Sequence, residues 1–146
     1  MLKNLSVYCE KGIKVNKSSV HTFIGKLKLL LDLRIYSLEL NFLLPETIIT
    51  INKDHLKHNY VTDIISFNYS NESNNLDGEI LICLSAAREN AKRFRSTYEN
   101  EVKRLIVHGI LHLMGWDDSS LFQRRKMRAM ENKVLLKIKN LGRITT

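Results

Sequence analysis

Residues 98–114 constrain the fold more than any other segment, because they are apolar around more than half of a helical circumference. Apolar side chains recur there at spacings of three and four, at Val102, Leu105, Ile106, Ile110, Leu111 and Leu113, which predicts an α-helix. A helix with so much apolar surface must be covered on several sides, so we expect it to be central and buried. Thr97 is a suitable N-cap, and Gly115 can end the helix with a positive φ.

Shorter segments on both sides of this helix have the periodicities of strands and helices. The patterns predict strands over 5–8, 35–44, 62–69 and 79–84, and helices over 18–33, 45–56, 85–94 and 121–139. Along 35–44 the alternation places Tyr36, Leu38, Leu40 and Phe42 on one face. We expect Ser85 to cap the helix that follows it. The turn residues of 70–78 suggest a hairpin between the strands on either side.

These elements predict an α+β fold in which helices pack on a small mixed sheet of about four strands. A length of 146 residues corresponds to a single domain, residues 1–146. No secretory signal is visible and no apolar run approaches the roughly 18 residues of a membrane span. The expectation is therefore a cytoplasmic protein with no membrane partner, and no small-molecule cofactor is evident.

The charge balance favours a polyanionic partner. The chain has 23 Lys and Arg against 15 Asp and Glu, a net charge of +8, and nucleic acid is the commonest polyanion in the cytosol. Basic residues cluster on two predicted helices, at Arg88, Lys92, Arg93 and Arg95, and at Arg124, Arg125, Lys126 and Arg128. The alternative is that both clusters are only solvated outer faces.

His108 and His112 lie four residues apart on the central helix, so both imidazoles project from one face. That spacing allows them to bind one metal ion. Gly115 then lets the chain turn back, which makes Asp118 available as a third ligand, with Asp117 as its rival. Three protein ligands leave a fourth position for water, the arrangement of a catalytic zinc site. The alternative for both aspartates is a place at the start of the helix beginning near Leu121.

The same spacing occurs in metzincin zinc proteases, but one residue opposes that interpretation. Those enzymes place a Glu beside the first His as general base, and Gly109 stands there in this sequence. A peptidase would need a distant Glu, such as Glu101 or Glu131, to reach the metal. Gly109 also permits close approach of another backbone or a substrate; its alternative role is tight helix–helix packing.

The segment HGILHLMGWDD resembles the signature H-G-x-L-H-L-x-G-Y-D-H of the YbeY-type rRNA maturation factors, an endoribonuclease family. The match comprises His108, Gly109, Leu111, His112, Leu113, Gly115 and Asp117, with Trp116 in place of Tyr. Upstream, TDIISF at 62–67 resembles the family's T-D-V-L-S-F, and GEI at 78–80 resembles its G-D-I. Together these motifs extend the resemblance over most of the chain, from about residue 38 to residue 131.

The resemblance implies a metal-dependent, single-strand-specific endoribonuclease that acts in 3′-end maturation of 16S rRNA and in quality control of the small ribosomal subunit. It implies one zinc ion on His108, His112 and Asp118, which act through the water bound to the metal; no separate base is identified. The third ligand is His in most members, and Asp118 makes the site one charge more negative. We also expect four basic residues to contact RNA, namely Arg88, Lys92, Arg93 and Lys57.

A second departure concerns an arginine that family members usually carry in a Tyr-Arg pair. Counted from Asn52, those two positions are His55 and Leu56 here. Lys57, Lys53 or Arg88 can take its place, and the sequence does not choose between them. The alternative function is therefore an RNA- or ribosome-binding assembly factor with a vestigial or structural zinc site. A metzincin-like peptidase is a third hypothesis.

Overall fold

The computed structural model describes residues 1–56, 63–139 and 142–146. Within them the chain forms four strands and five helices in an α+β fold. The elements in chain order are β1 (Leu5–Cys9), α1 (Lys17–Leu30), β2 (Arg34–Leu43), α2 (Pro45–Leu56), β3 (Ile64–Asn68), β4 (Asn75–Cys83), α3 (Leu84–Arg93), α4 (Tyr98–Leu113) and α5 (Leu121–Lys137).

The four strands form one mixed sheet in the order β1-β2-β4-β3. Strands β1, β2 and β4 run parallel, whereas β3 pairs antiparallel with β4. The predicted hairpin and the mixed sheet are thus confirmed. Strand β4 begins at Asn75, inside the segment predicted as a turn, because its first residues pair with the start of β2.

The sheet has a core on each face. The larger core combines side chains of β2 and β4 with those of α1, α4 and α5, and Leu40, Ile80 and Ile106 in it are fully buried. The smaller core lies under α2 and includes Ile48 and Leu81. Helix α4 is buried along Val102, Leu105, Ile106, Val107, Ile110, Leu111 and Leu113, so the prediction that this helix is buried is confirmed.

Two local predictions are wrong. Tyr36 does not share the core face of β2 but is 68% exposed. The register shifts between Ile35 and Ser37, and this β-bulge breaks the alternation that placed Tyr36 inside. Ser85 is not the N-cap of α3: the strand β4 continues directly into the helix, so Cys83 occupies that position and makes no side-chain capping bond.

Hydrogen bonds to Glu99 hold the C-terminal residues at the start of α4. The Glu99 carboxylate accepts hydrogen bonds from the backbone N–H groups of Ile144 and Thr145, both at 2.8 Å. It also accepts one from Thr145 Oγ1 at 2.6 Å and lies 3.3 Å from Lys103 Nζ. Burial alone raises the pKa of Glu99, but these hydrogen bonds and the Lys103 charge outweigh it, and the net effect lowers the pKa.

Candidate metal centre

The first part of the site is a helix held unusually close to the sheet. Gly109 on α4 faces β3 and β4, where a Cβ atom would come within 2.7 Å of Ile80 Cγ2 and 2.9 Å of Ile64 Cδ1. Gly109 therefore serves tight packing, but here the helix packs against the sheet and not against another helix as the sequence suggested. His108 and His112 lie on a neighbouring face of the helix, where their side chains are 21% and 22% exposed.

The second part is the turn that follows α4. Gly115 has φ +97°, and Trp116 N–H donates to the Leu111 carbonyl at 3.0 Å, which together form the glycine C-cap that the sequence predicts. The chain reverses here and brings Asp118 back beside the two histidines. Helix α5 is capped by Ser120 through a capping box with Gln123, so neither aspartate serves as its N-cap.

Three donor atoms converge at this point. His108 Nε2 lies 3.0 Å from His112 Nε2, and Asp118 Oδ2 lies 3.2 Å from each of them. A tetrahedral zinc ion with ligands at about 2.0–2.1 Å has neighbouring ligand atoms roughly 3.3 Å apart. The triangle formed by the three atoms thus has the size of one face of a zinc tetrahedron. Its imidazole and carboxylate donors are also ligands that zinc accepts. Of the two candidate aspartates, Asp118 belongs to this group, and Asp117 is exposed.

A buried hydrogen-bond network orients the first of these three donor residues. Glu131 on α5, only 3% exposed, accepts a hydrogen bond from His108 Nδ1 at 2.7 Å. With its proton on Nδ1, the His108 ring presents the Nε2 lone pair to the other donors. Arg104 supports the carboxylate from behind: its Nη1 lies 3.4 Å from Glu131 Oε1, and its Nε lies 3.3 Å from Glu101 Oε1.

The electrostatics around His108 favour positive charge. Burial alone lowers the pKa of this imidazole, but the hydrogen bond and charge of Glu131, together with the charges of Asp118 and Asp63, outweigh it. The net effect raises the pKa of His108 above its ordinary value. The group of carboxylates that produces this shift is also an environment that attracts a metal cation.

An open cavity of about 280 Å³ lies in front of His108 and Asp118. Four arginines line it, namely Arg93, Arg104, Arg124 and Arg128, together with Phe94. Of the residues expected to contact RNA, Arg93 is in this cavity, whereas Arg88 packs over the Tyr98 ring at 4.1 Å and Lys92 is exposed on α3. Lys57 lies outside the described residues. Lys53 is exposed on α2.

Sequence reasoning missed the supporting residues of the site. Glu131 appeared only as a distant base for a peptidase, although it stands between the core positions Met127 and Val134 of α5. A carboxylate on the apolar side of a helix needs a partner, and this signal could have identified its role. The positions of Arg104 and Phe94 depend on how α3, α4 and α5 pack, which local patterns do not encode.

Comparisons with known proteins identify the family that the chain resembles. The family model described as Endoribonuclease YbeY matches residues 6–139. A protein of Bacteroides fragilis named Endoribonuclease YbeY is 37% identical over 131 residues, which are 88% of this chain and 94% of that protein. One of the same name from Phocaeicola vulgatus is 34% identical over the same shares of both chains.

A solved structure supports the same relationship. The solution structure of TM1509 from Thermotoga maritima superposes with a TM-score of 0.58 at 26% sequence identity, and the match covers 91% of this chain and 90% of that one. The family model and the relatives of almost equal length therefore show that this chain belongs to the YbeY endoribonuclease family.

Proposed function

We propose that this chain is a zinc-dependent endoribonuclease that cleaves single-stranded RNA in the 3′-end maturation of 16S rRNA and in quality control of the small ribosomal subunit. Residues 1–146 are proposed to act as a single cytoplasmic domain. Family membership supports the endoribonuclease role. The described residues contain no helix long and apolar enough to cross a membrane.

One observation carries the metal dependence. The donor atoms of His108, His112 and Asp118 lie 3.0–3.2 Å apart, which is the spacing of ligands around a single ion. When bound there, zinc supplies a Lewis acid for a phosphate oxygen and lowers the pKa of a water molecule near the scissile bond.

The chain's own residues position the reaction. Glu131 holds the His108 ring in a fixed orientation through its 2.7 Å hydrogen bond, so the site is formed before substrate arrives. Asp118 adds a negative charge where most relatives are expected to have a neutral imidazole. The arginines of the cavity lie beside this acidic centre and favour the phosphates of a bound strand.

The test compares matched variants of the zinc-loaded protein on one labelled RNA, presented single-stranded or as a duplex. We expect cleavage of the single strand, inhibition by a chelator and loss of cleavage in His108→Ala and Asp118→Asn. Asp117→Asn is the matched control, because Asp117 is adjacent but outside the group of donors, and it should retain activity. Cleavage that persists unchanged in His108→Ala would overturn the proposal.

A second candidate function rests on one substitution. Leu56 stands where the family usually has an active-site arginine, and this favours an RNA- or ribosome-binding assembly factor whose ion is structural. This candidate would be supported if the protein binds single-stranded RNA but does not cleave it, whichever metal ion it is loaded with. No observation supports a peptidase, because both glutamates considered as its general base are engaged elsewhere. Glu131 hydrogen bonds to His108 Nδ1, and Glu101 pairs with Arg104.

A further inference from the structure

We propose that Arg93 and Arg128, held against the ring of Phe94, form a phosphate-binding subsite that holds the RNA strand beside His108 and Asp118. The proposal rests on the proposed function and assigns two of its substrate contacts. We call these three residues the Arg93–Phe94–Arg128 cluster.

The cluster is assembled from two helices at the rim of the candidate metal centre. Arg93 is the last residue of α3, Phe94 is its C-cap, and Arg128 lies in the middle of α5. The guanidinium carbons of Arg93 and Arg128 lie 5.3 Å and 4.3 Å from the centroid of the Phe94 ring. All three residues line the same cavity as His108 and Asp118. The ring thus keeps two cations together next to the donors.

These two guanidiniums are available to a ligand, whereas the other two in the cavity are engaged. Arg104 pairs with Glu101 and Glu131, and Arg124 donates to the backbone carbonyls of Asp118 and Ser119 at 3.4 Å and 3.2 Å. Within 1–56, 63–139 and 142–146, no carboxylate lies within 4.0 Å of either Arg93 or Arg128.

The chemistry of the cluster matches a phosphodiester backbone. A guanidinium is always charged at neutral pH, and its planar set of donors fits two oxygens of one phosphate. The cavity combines an acidic centre, where a cation would bind, with a cationic rim a few side chains away. A strand whose phosphates contact this rim would bring the next phosphate toward the donors. Phe94 is itself 45% exposed, so part of the ring remains open to a base.

The test measures binding rather than cleavage. A fluorescein-labelled single-stranded RNA of about twelve nucleotides is titrated with the full chain, with zinc or with EDTA, at several KCl concentrations. Each phosphate contact to a single strand contributes about 0.7 to the slope of log K against log salt. If two contacts are lost, Arg93→Gln/Arg128→Gln should reduce the slope by about 1.4. With equal affinities extrapolated to 1 M KCl, this change of slope lowers the affinity at 0.1 M KCl roughly 25-fold.

A matched control separates local contact from net charge. Lys26→Gln/Lys133→Gln removes the same two charges from exposed positions that do not line the cavity, and should change the slope by less than half as much. Phe94→Leu leaves the charge unchanged and should weaken binding about twofold to fivefold, because the two guanidiniums lose their common support. Unchanged circular dichroism would show that each variant is folded.

The outcomes distinguish this proposal from the one on which it rests. If wild-type protein cleaves RNA and the Arg93/Arg128 variant keeps the full salt slope, the subsite is wrong and the endoribonuclease stands. If the slope falls as expected but no protein cleaves RNA, the subsite stands and catalysis is wrong. Failure of the wild type to bind single-stranded RNA at low salt would overturn both.

Discussion

Replacing Gly109 with alanine tests the packing that sets the position of helix α4, which bears His108 and His112. An added Cβ would lie 2.7 Å and 2.9 Å from two atoms of Ile80, and 2.9 Å from Ile64 Cδ1, whereas carbon atoms in contact are about 3.5–4.0 Å apart. Ile80 is fully buried and β-branched, so its side chain has little freedom to rotate away. The helix has to shift outward or the strand has to deform.

The expected size of the effect follows from two opposing contributions. Overpacking of this kind costs about 1–3 kcal/mol, and alanine in place of glycine within a helix gains about 1 kcal/mol. Gly25 provides the matched control, because it lies within α1 and a Cβ there would meet no atom within 4 Å. We expect Gly109→Ala to lose up to about 2 kcal/mol of unfolding free energy and Gly25→Ala to gain up to about 1 kcal/mol.

Urea denaturation followed by circular dichroism measures both variants, with EDTA present so that metal binding does not contribute. Ile80→Ala should relieve the crowding, so Gly109→Ala in that background should be destabilised less than in the wild type, and a double-mutant cycle would give a favourable coupling. If Gly109→Ala stabilises the protein as much as Gly25→Ala does, the close contact between α4 and the sheet is wrong.

Three further predictions concern single carboxylates. Glu131→Gln should weaken zinc binding about 10- to 100-fold, because the charged partner of His108 is lost; chelator competition would show this, and equal affinity would contradict its orienting role. Glu99→Gln should destabilise the protein at pH 7 and much less at about pH 3, because the pKa of Glu99 is lower in the folded than in the unfolded chain. The stability that this difference gives is present above the unfolded-state pKa and is lost as the pH falls through the folded-state pKa. Denaturation at both pH values checks this, with exposed Glu89→Gln as control, and a difference that does not depend on pH would refute it. Asp118→His should raise the preference for zinc over magnesium, because magnesium favours oxygen ligands; an unchanged ratio of dissociation constants would exclude Asp118 as a ligand.

The central part of the site was predictable from sequence because local geometry determines it. The spacing of His108 and His112 fixes both rings on one face of a helix, and Gly115 allows the reversal that returns Asp118. Helix α4 was predictable for a similar reason, since its apolar surface leaves it no position except the interior.

Features that depend on distant contacts were not predictable. The hydrogen bond from His108 to Glu131 joins residues 23 positions apart, and it forms only once α5 packs on α4. The bulge at Tyr36 arises from pairing with β4. Ser85 is not the N-cap of α3 because β4 continues directly into the helix. The end of the strand is set by its pairing in the sheet and not by a capping residue.

The most direct test of this account is the zinc content of the purified chain. After zinc loading and dialysis, elemental analysis should give about one ion per chain for the wild type and for Asp117→Asn, and far less for His112→Ala and Asp118→Ala. Zinc content that is negligible in the wild type, or equal in all four proteins, would contradict the claim that His108, His112 and Asp118 form a metal centre.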